Sequence, residues 1–178
     1  MRRILPFGLA MVFAGAAHAQ TQAQDNVKIP LDVVQAGFKK AECSIELKDE
    51  EREVTGALGG GLVLVEIYCW RAAYQAGSIF FIVDPNAPEK ARLAQFPSWT
   101  GRGKRSAPDL SLTSPSYDAT RKIVSMAHKG RGAGDCGSTA EWRWNGKDFV
   151  LKAAWNKDKC DGRPFEEGKR WQVYPPKR

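Results

Sequence analysis

From Glu141 to Trp155 the chain alternates in polarity on both sides of an Asn145-Gly146 dipeptide, and this narrows the available folds more than any other feature. Trp142 and Trp144 share one strand face while Glu141 and Arg143 share the other. Beyond the dipeptide, Phe149, Leu151, Ala153 and Trp155 fall on one face. Asn-Gly between alternating segments signals a β-hairpin, because both residues tolerate the positive φ of a tight turn. Thr120 to His128 alternates too, with Ile123, Ser125 and Ala127 opposing Val124, Met126 and His128. Trp171, Val173 and Tyr174 suggest a last strand that Pro175-Pro176 stops.

The first half carries the same period. Val63, Val65, Ile67 and Cys69 alternate with Leu62, Leu64, Glu66 and Tyr68. Ser78 to Val83 reads as a second strand, ended by the turn residues Asp84-Pro85-Asn86. A helix is expected only near the start, where Pro30 suits a first turn and Leu31, Val34 and Phe38 follow at helical spacing up to Lys40. Lys48 to Glu53 reads as a charged turn, and Gly56 to Gly61 as a break before the first strand. Pro97 to Ser116 reads as a loop, with Gly101 to Arg105 as its mobile basic part. The expected fold is mainly β. It is one antiparallel β-rich domain, a small barrel or sandwich, with a short N-terminal helix and two disulfides.

The disulfides follow from an expected export signal. Arg2 and Arg3 precede an apolar run from Ile4 to Ala16, and Ala17-His18-Ala19 supplies small residues for cleavage near Ala19/Gln20. The run is too short and too broken by Pro6, Gly8 and Gly15 for a membrane span of about 20 residues, and no later segment is long enough. The mature chain, 20–178, is expected to be periplasmic or secreted, without a transmembrane anchor, and roughly one domain in size. In that compartment disulfides persist. Four cysteines allow three connectivities, of which Cys43–Cys69 with Cys136–Cys160 is the simplest. Zinc fits poorly, since no Cys-x-x-Cys pair or Cys/His cluster occurs and His18 leaves with the signal. No metal or other cofactor is expected.

Net charge is +7, and its distribution is uneven. Residues 20–99 hold 8 Lys plus Arg against 11 Asp plus Glu, and residues 100–178 hold 17 against 9. A basic C-terminal half suits an anionic cell-envelope component or an acidic protein partner. Gly130-Arg131-Gly132 is no nucleotide fingerprint, because no helix follows to supply amides, and specific nucleic-acid binding is not expected. Lys129, Arg131 and Asp135, in a Gly-rich loop where amides and cations can converge, form the best anion-contact candidate. Arg143 and Trp144 are the neighbouring candidates, since an exposed aromatic beside a cation can present a binding patch.

Two chemistries compete with binding. Cys136 in Gly134-Asp135-Cys136-Gly137-Ser138 invites a cysteine hydrolase with His128 and Asp135, which requires a free thiolate and a base within hydrogen-bond reach. An even cysteine count predicts oxidation instead, and no catalytic residue is assigned. Asn156, Asp158, Asp161 and Glu167 resemble a calcium loop, but Cys160 and Asp161 stand where an oxygen ligand and Gly are needed.

The stretch from His128 through Gly134-Asp135-Cys136-Gly137, Trp142, Trp144, Phe149, Leu151 and Cys160 resembles exported bacterial proteins grouped as domain of unknown function 1176. Cys69 with Ala73-Tyr74 matches an earlier element of that family. The resemblance covers about two-thirds of the mature chain and leaves the 97–116 loop unmatched. It implies an exported, disulfide-bonded protein and brings no activity; longer members carry cysteines that this chain lacks. The expected function is therefore non-enzymatic binding, with the hydrolase as one alternative and a lysozyme-inhibitor-like protein as another. The last fits the charge poorly, because lysozymes are typically basic.

Overall fold

A computed structural model of the chain describes residues 27–46, 52–100, 104–165, 168 and 170–175. The expected signal at 1–19, the mature N-terminus to 26, the charged segment 48–51 and the glycine-rich 101–103 lie outside them. Helix α1 (Leu31–Lys40) is followed by strands β1 (Arg52–Gly59), β2 (Leu62–Arg71), β3 (Ala76–Val83) and β4 (Arg92–Leu93). Then come β5 (Trp99–Thr100), β6 (Lys104–Arg105), β7 (Ser111–Thr113) and β8 (Ser116–Asp118). The chain ends through β9 (Ile123–Lys129), β10 (Gly137–Trp144), β11 (Phe149–Lys157) and β12 (Gln172–Tyr174).

Two five-stranded antiparallel sheets result. Sheet 1 has the order β1-β2-β3-β4, with β7 also on β3; sheet 2 has the order β12-β11-β10-β9-β8. One core fills the space between them. Leu58, Leu64, Phe80 and Ile82 of sheet 1 meet Val124, Trp142, Trp144 and Phe149 of sheet 2. Phe96, fully buried on the segment crossing between sheets, sits 5.1–5.7 Å from the rings of Phe80, Trp142 and Phe149. A second core lies on the opposite face of sheet 1, where Val63, Val65, Ile67 and Phe81 pack under Ile29 and Val34. The fold is thus a sandwich with a helix over one sheet. It explains why β3 reads as an unbroken apolar run: both its faces are covered.

Local chemistry sets the boundaries. The β1–β2 hairpin turns on Gly60-Gly61, whose φ of 64° and 81° suit the tight turn that glycine permits. β1 itself corrects the reading of 48–61. Arg52 and Glu53 open a strand, and Gly56 is absorbed at a register shift and does not end the pairing. In α1, Asp32 near the start and Lys39 and Lys40 near the end complement the helix dipole. Of the expected core stripe, Val34 is buried and Phe38 packs against the second core, whereas Leu31 is exposed and Gly37 is buried beside Val34.

The strand of 120–128 is Ile123–Lys129, because Asp118 Oδ1 accepts the Arg121 N–H and holds 118–121 as a turn. The Asn145-Gly146 hairpin forms, but its loop spans four residues: Trp144 pairs with Phe149, and Asn145 Oδ1 accepts the N–H groups of Lys147 and Asp148. A bulge at Lys152 then shifts the period in β11. Ala154, in place of Ala153 and Trp155, enters the core. The 97–116 segment is likewise more ordered than its composition predicts. It holds β5, β6 and β7, a bridge between Phe96 and Asp109, and buried Leu112.

Candidate functional site

At the end of β9 the chain makes a seven-residue excursion, 130–136, before returning as β10. Gly130 N–H donates to the Cys136 carbonyl and Gly134 N–H to that of Arg131, which folds the loop onto itself. Gly137 closes it with a φ of 144°, and any Cβ there would collide with the His128 carbonyl oxygen. This is why glycine follows Cys136. Cys136 is bonded to Cys160 and Cys43 to Cys69, so both disulfides join the expected partners.

Asp135 organises the loop. Its buried carboxylate accepts Arg131 Nε at 2.6 Å and Nη2 at 2.5 Å, and also the Gly162 N–H at 2.6 Å. The paired Arg131 guanidinium holds the carboxyl well below the usual carboxylate range, and the Gly162 amide adds to the effect. A second pair lies alongside. Lys157, 1% exposed, donates to Asp161 Oδ1 and to the Arg163 carbonyl, both at 2.7 Å, and its ammonium lies 5.5 Å from the Trp171 ring. Asp161 is lowered chiefly by the Lys157 hydrogen bond.

The turn between β2 and β3 joins this end of the sandwich. Gln75 Oε1 accepts the Lys129 N–H at 3.0 Å, and Tyr74, half exposed, lies beside Gly132. Loops 71–75, 129–136 and 158–163 therefore form one surface. Lys129, Arg131 and Asp135 come together on it. Arg143 and Trp144 do not, since Gly137 pairs with Lys129 whereas Arg143 pairs with Ile123, about 20 Å along the strands. Trp144 is buried between the sheets against Phe149, with Arg92 above its ring. Sequence reasoning missed Gln75, Lys157 and Gly162. Lys157 alone left a trace, as a cation at the end of an alternating strand.

Cys136 Sγ is bonded to Cys160, no cysteine is free, and Arg131 occupies Asp135. His128 Nδ1 faces Gln75 and Thr113. The cysteine-hydrolase arrangement thus has no thiolate in this state. Asp135, Cys136 and Cys160 also lie close enough to suggest a metal cluster, but disulfide sulfurs offer no thiolate ligands.

Fold and site together define a disulfide-bonded antiparallel β-sandwich with a cross-linked basic loop surface. The chain belongs to the family described as protein of unknown function (DUF1176), whose model matches residues 10–176. Over 120 residues, 67% of this chain, it is 32% identical to the uncharacterised protein YpfG of Escherichia coli strain K12. It spans 34% of that relative's length. No solved structure matches it. Among the described residues, no helix is long and apolar enough to cross a membrane.

Proposed function

We propose that residues 20–178 act, after export directed by 1–19, as a single non-enzymatic module that binds a phosphate-bearing component of the cell envelope. The binding surface is the end of the sandwich made by loops 71–75, 129–136 and 158–163. One observation carries the reading. Arg71, Lys129 and Lys159 stand exposed there without a carboxylate partner among the described residues, on a frame pinned by the Cys136–Cys160 bond and the Asp135 contacts. With the backbone beneath Lys129 and Lys159 already pinned, only the side chains have to order on meeting an anion, which favours binding. Arg131 and Asp135 serve as positioning residues, and half-exposed Tyr74 offers a ring beside the cations. Arg143 and Trp144, at the far end, fall outside the proposed surface.

The test is co-sedimentation of unreduced mature protein with phosphatidylglycerol vesicles and with lipopolysaccharide, against phosphatidylcholine vesicles as the uncharged control. Lys129→Glu combined with Lys159→Glu should weaken binding about tenfold or more, and added salt should weaken the wild type similarly. Binding that ignores both the double substitution and salt rejects this surface. Retention by neither anionic probe points to an acidic protein partner and rejects the envelope assignment.

A further inference from the structure

A cleft of about 350 Å³, within the range of small-ligand sites, is lined by none of the cations of that surface. Its described lining comes from sheet 2 and from the 97–109 segment, with nothing from sheet 1. Trp142 Nε1 donates to the Pro97 carbonyl at 2.8 Å and so ties the segment to the sheet. Met126 and Trp155 supply an apolar wall, and Ser98, Ser138 and Asn156 supply polar atoms.

Asp109 is the one ionisable residue in that lining. Among the described residues no cation reaches it. Partial burial raises the group above its ordinary value, against the smaller lowering effect of the Ser98 hydroxyl. A carboxylate partly desolvated beside apolar walls and without a counter-charge gains most from a ligand that brings one. An anion would be repelled. A neutral polyol would leave the charge uncompensated. An ammonium group satisfies the carboxylate and also gains from an indole face and a thioether. The protein's own positive charge opposes such a ligand weakly, because solvent ions screen it beyond about 8 Å.

We propose that this cleft binds a small organic cation of the primary or quaternary ammonium class, with Asp109 as counter-ion and Trp155 and Met126 as its apolar wall. The site is independent of the basic loop surface, so either can fail without the other. The test is calorimetric titration of the unreduced protein with choline, with butylamine, and with dimethylbutanol, the uncharged carbon isostere of choline. At least one amine should bind, with dimethylbutanol about tenfold weaker or worse. Asp109→Asn, which keeps shape and removes charge, should reduce the amine to the level of the neutral isostere. Equal affinity for choline and its isostere, undiminished amine binding in Asp109→Asn, or binding of neither amine overturns the proposal. If Asp109→Asn does not fold, the comparison of charged and uncharged probes on the wild type still decides it.

Discussion

Asp135 illustrates how one side chain can set the geometry of a surface without being its exposed part. Its two oxygens meet Arg131 and the Gly162 amide, so one carboxylate spans 27 positions of sequence between two loops already joined by a disulfide. Asp135→Asn keeps the shape and an acceptor for Gly162 but loses the charge opposite Arg131. The sign of the pH effect follows from the direction of the shift. A carboxyl held lower in the folded chain than in the unfolded chain contributes stability above its unfolded value of about 3.9, and that contribution fades as pH falls towards its folded value. Urea titrations should therefore find wild type more stable than Asp135→Asn at pH 7. The gap should narrow below about pH 4, while Asp118 and Asp161, present in both proteins, cancel. A gap that widens on acidification would contradict this role.

At the scale of elements, contact between α1 and sheet 1 depends on a residue with no side chain. Gly37 faces the Phe81 ring so closely that a methyl group at that position would overlap its tip, and Phe81 is itself buried. Gly37→Ala gains up to about 1 kcal/mol in helix propensity, but overpacking costs about 1–3 kcal/mol. Net destabilisation is expected in a denaturant melt; a more stable variant would show that the helix can lift freely. The same element is stapled by Cys43–Cys69, 26 residues apart, and replacing both with Ala should cost about 3–4 kcal/mol by the same measurement. Much of this layer was legible in the sequence. β2, β3, α1 and the Asn145-Gly146 hairpin announce themselves by period and turn chemistry. β1 and β7 do not, since their pairing comes from neighbouring strands and not from their own residues. In β11 a single extra residue, Lys152, reverses which side chains face inward, and no local pattern marks it. At the site, the Gly-rich loop was visible, but the Asp135–Gly162 and Gln75–Lys129 contacts bridge 27 and 54 positions, beyond the reach of spacing arguments.

Across the whole molecule, what makes two sheets one cooperative body is the aromatic cluster between them. Phe96 belongs to neither sheet, yet it is fully buried and its ring meets Phe80 from one sheet and Trp142 and Phe149 from the other. The two disulfides do not perform this task, since each closes a loop within its own half. Coupling between the halves therefore rests chiefly on this packing, with polar contacts such as Gln75–Lys129 and Tyr117–Ala57 beside it. One unfolding transition should follow, with far-ultraviolet dichroism and tryptophan fluorescence giving the same midpoint. Phe96→Ala removes the shared contact and should cost about 3–5 kcal/mol. The outcome also tells how the sheets are held together. If Phe96 is the main link, its loss lowers both midpoints and separates them, because sheet 1 keeps its second core beneath α1 while sheet 2, among the described residues, has only the shared one. The fluorescence of Trp142 and Trp144 should then melt first. Coincident midpoints in the variant would mean that the remaining contacts, among them Leu58, Leu64 and Leu112, suffice to bind the layers.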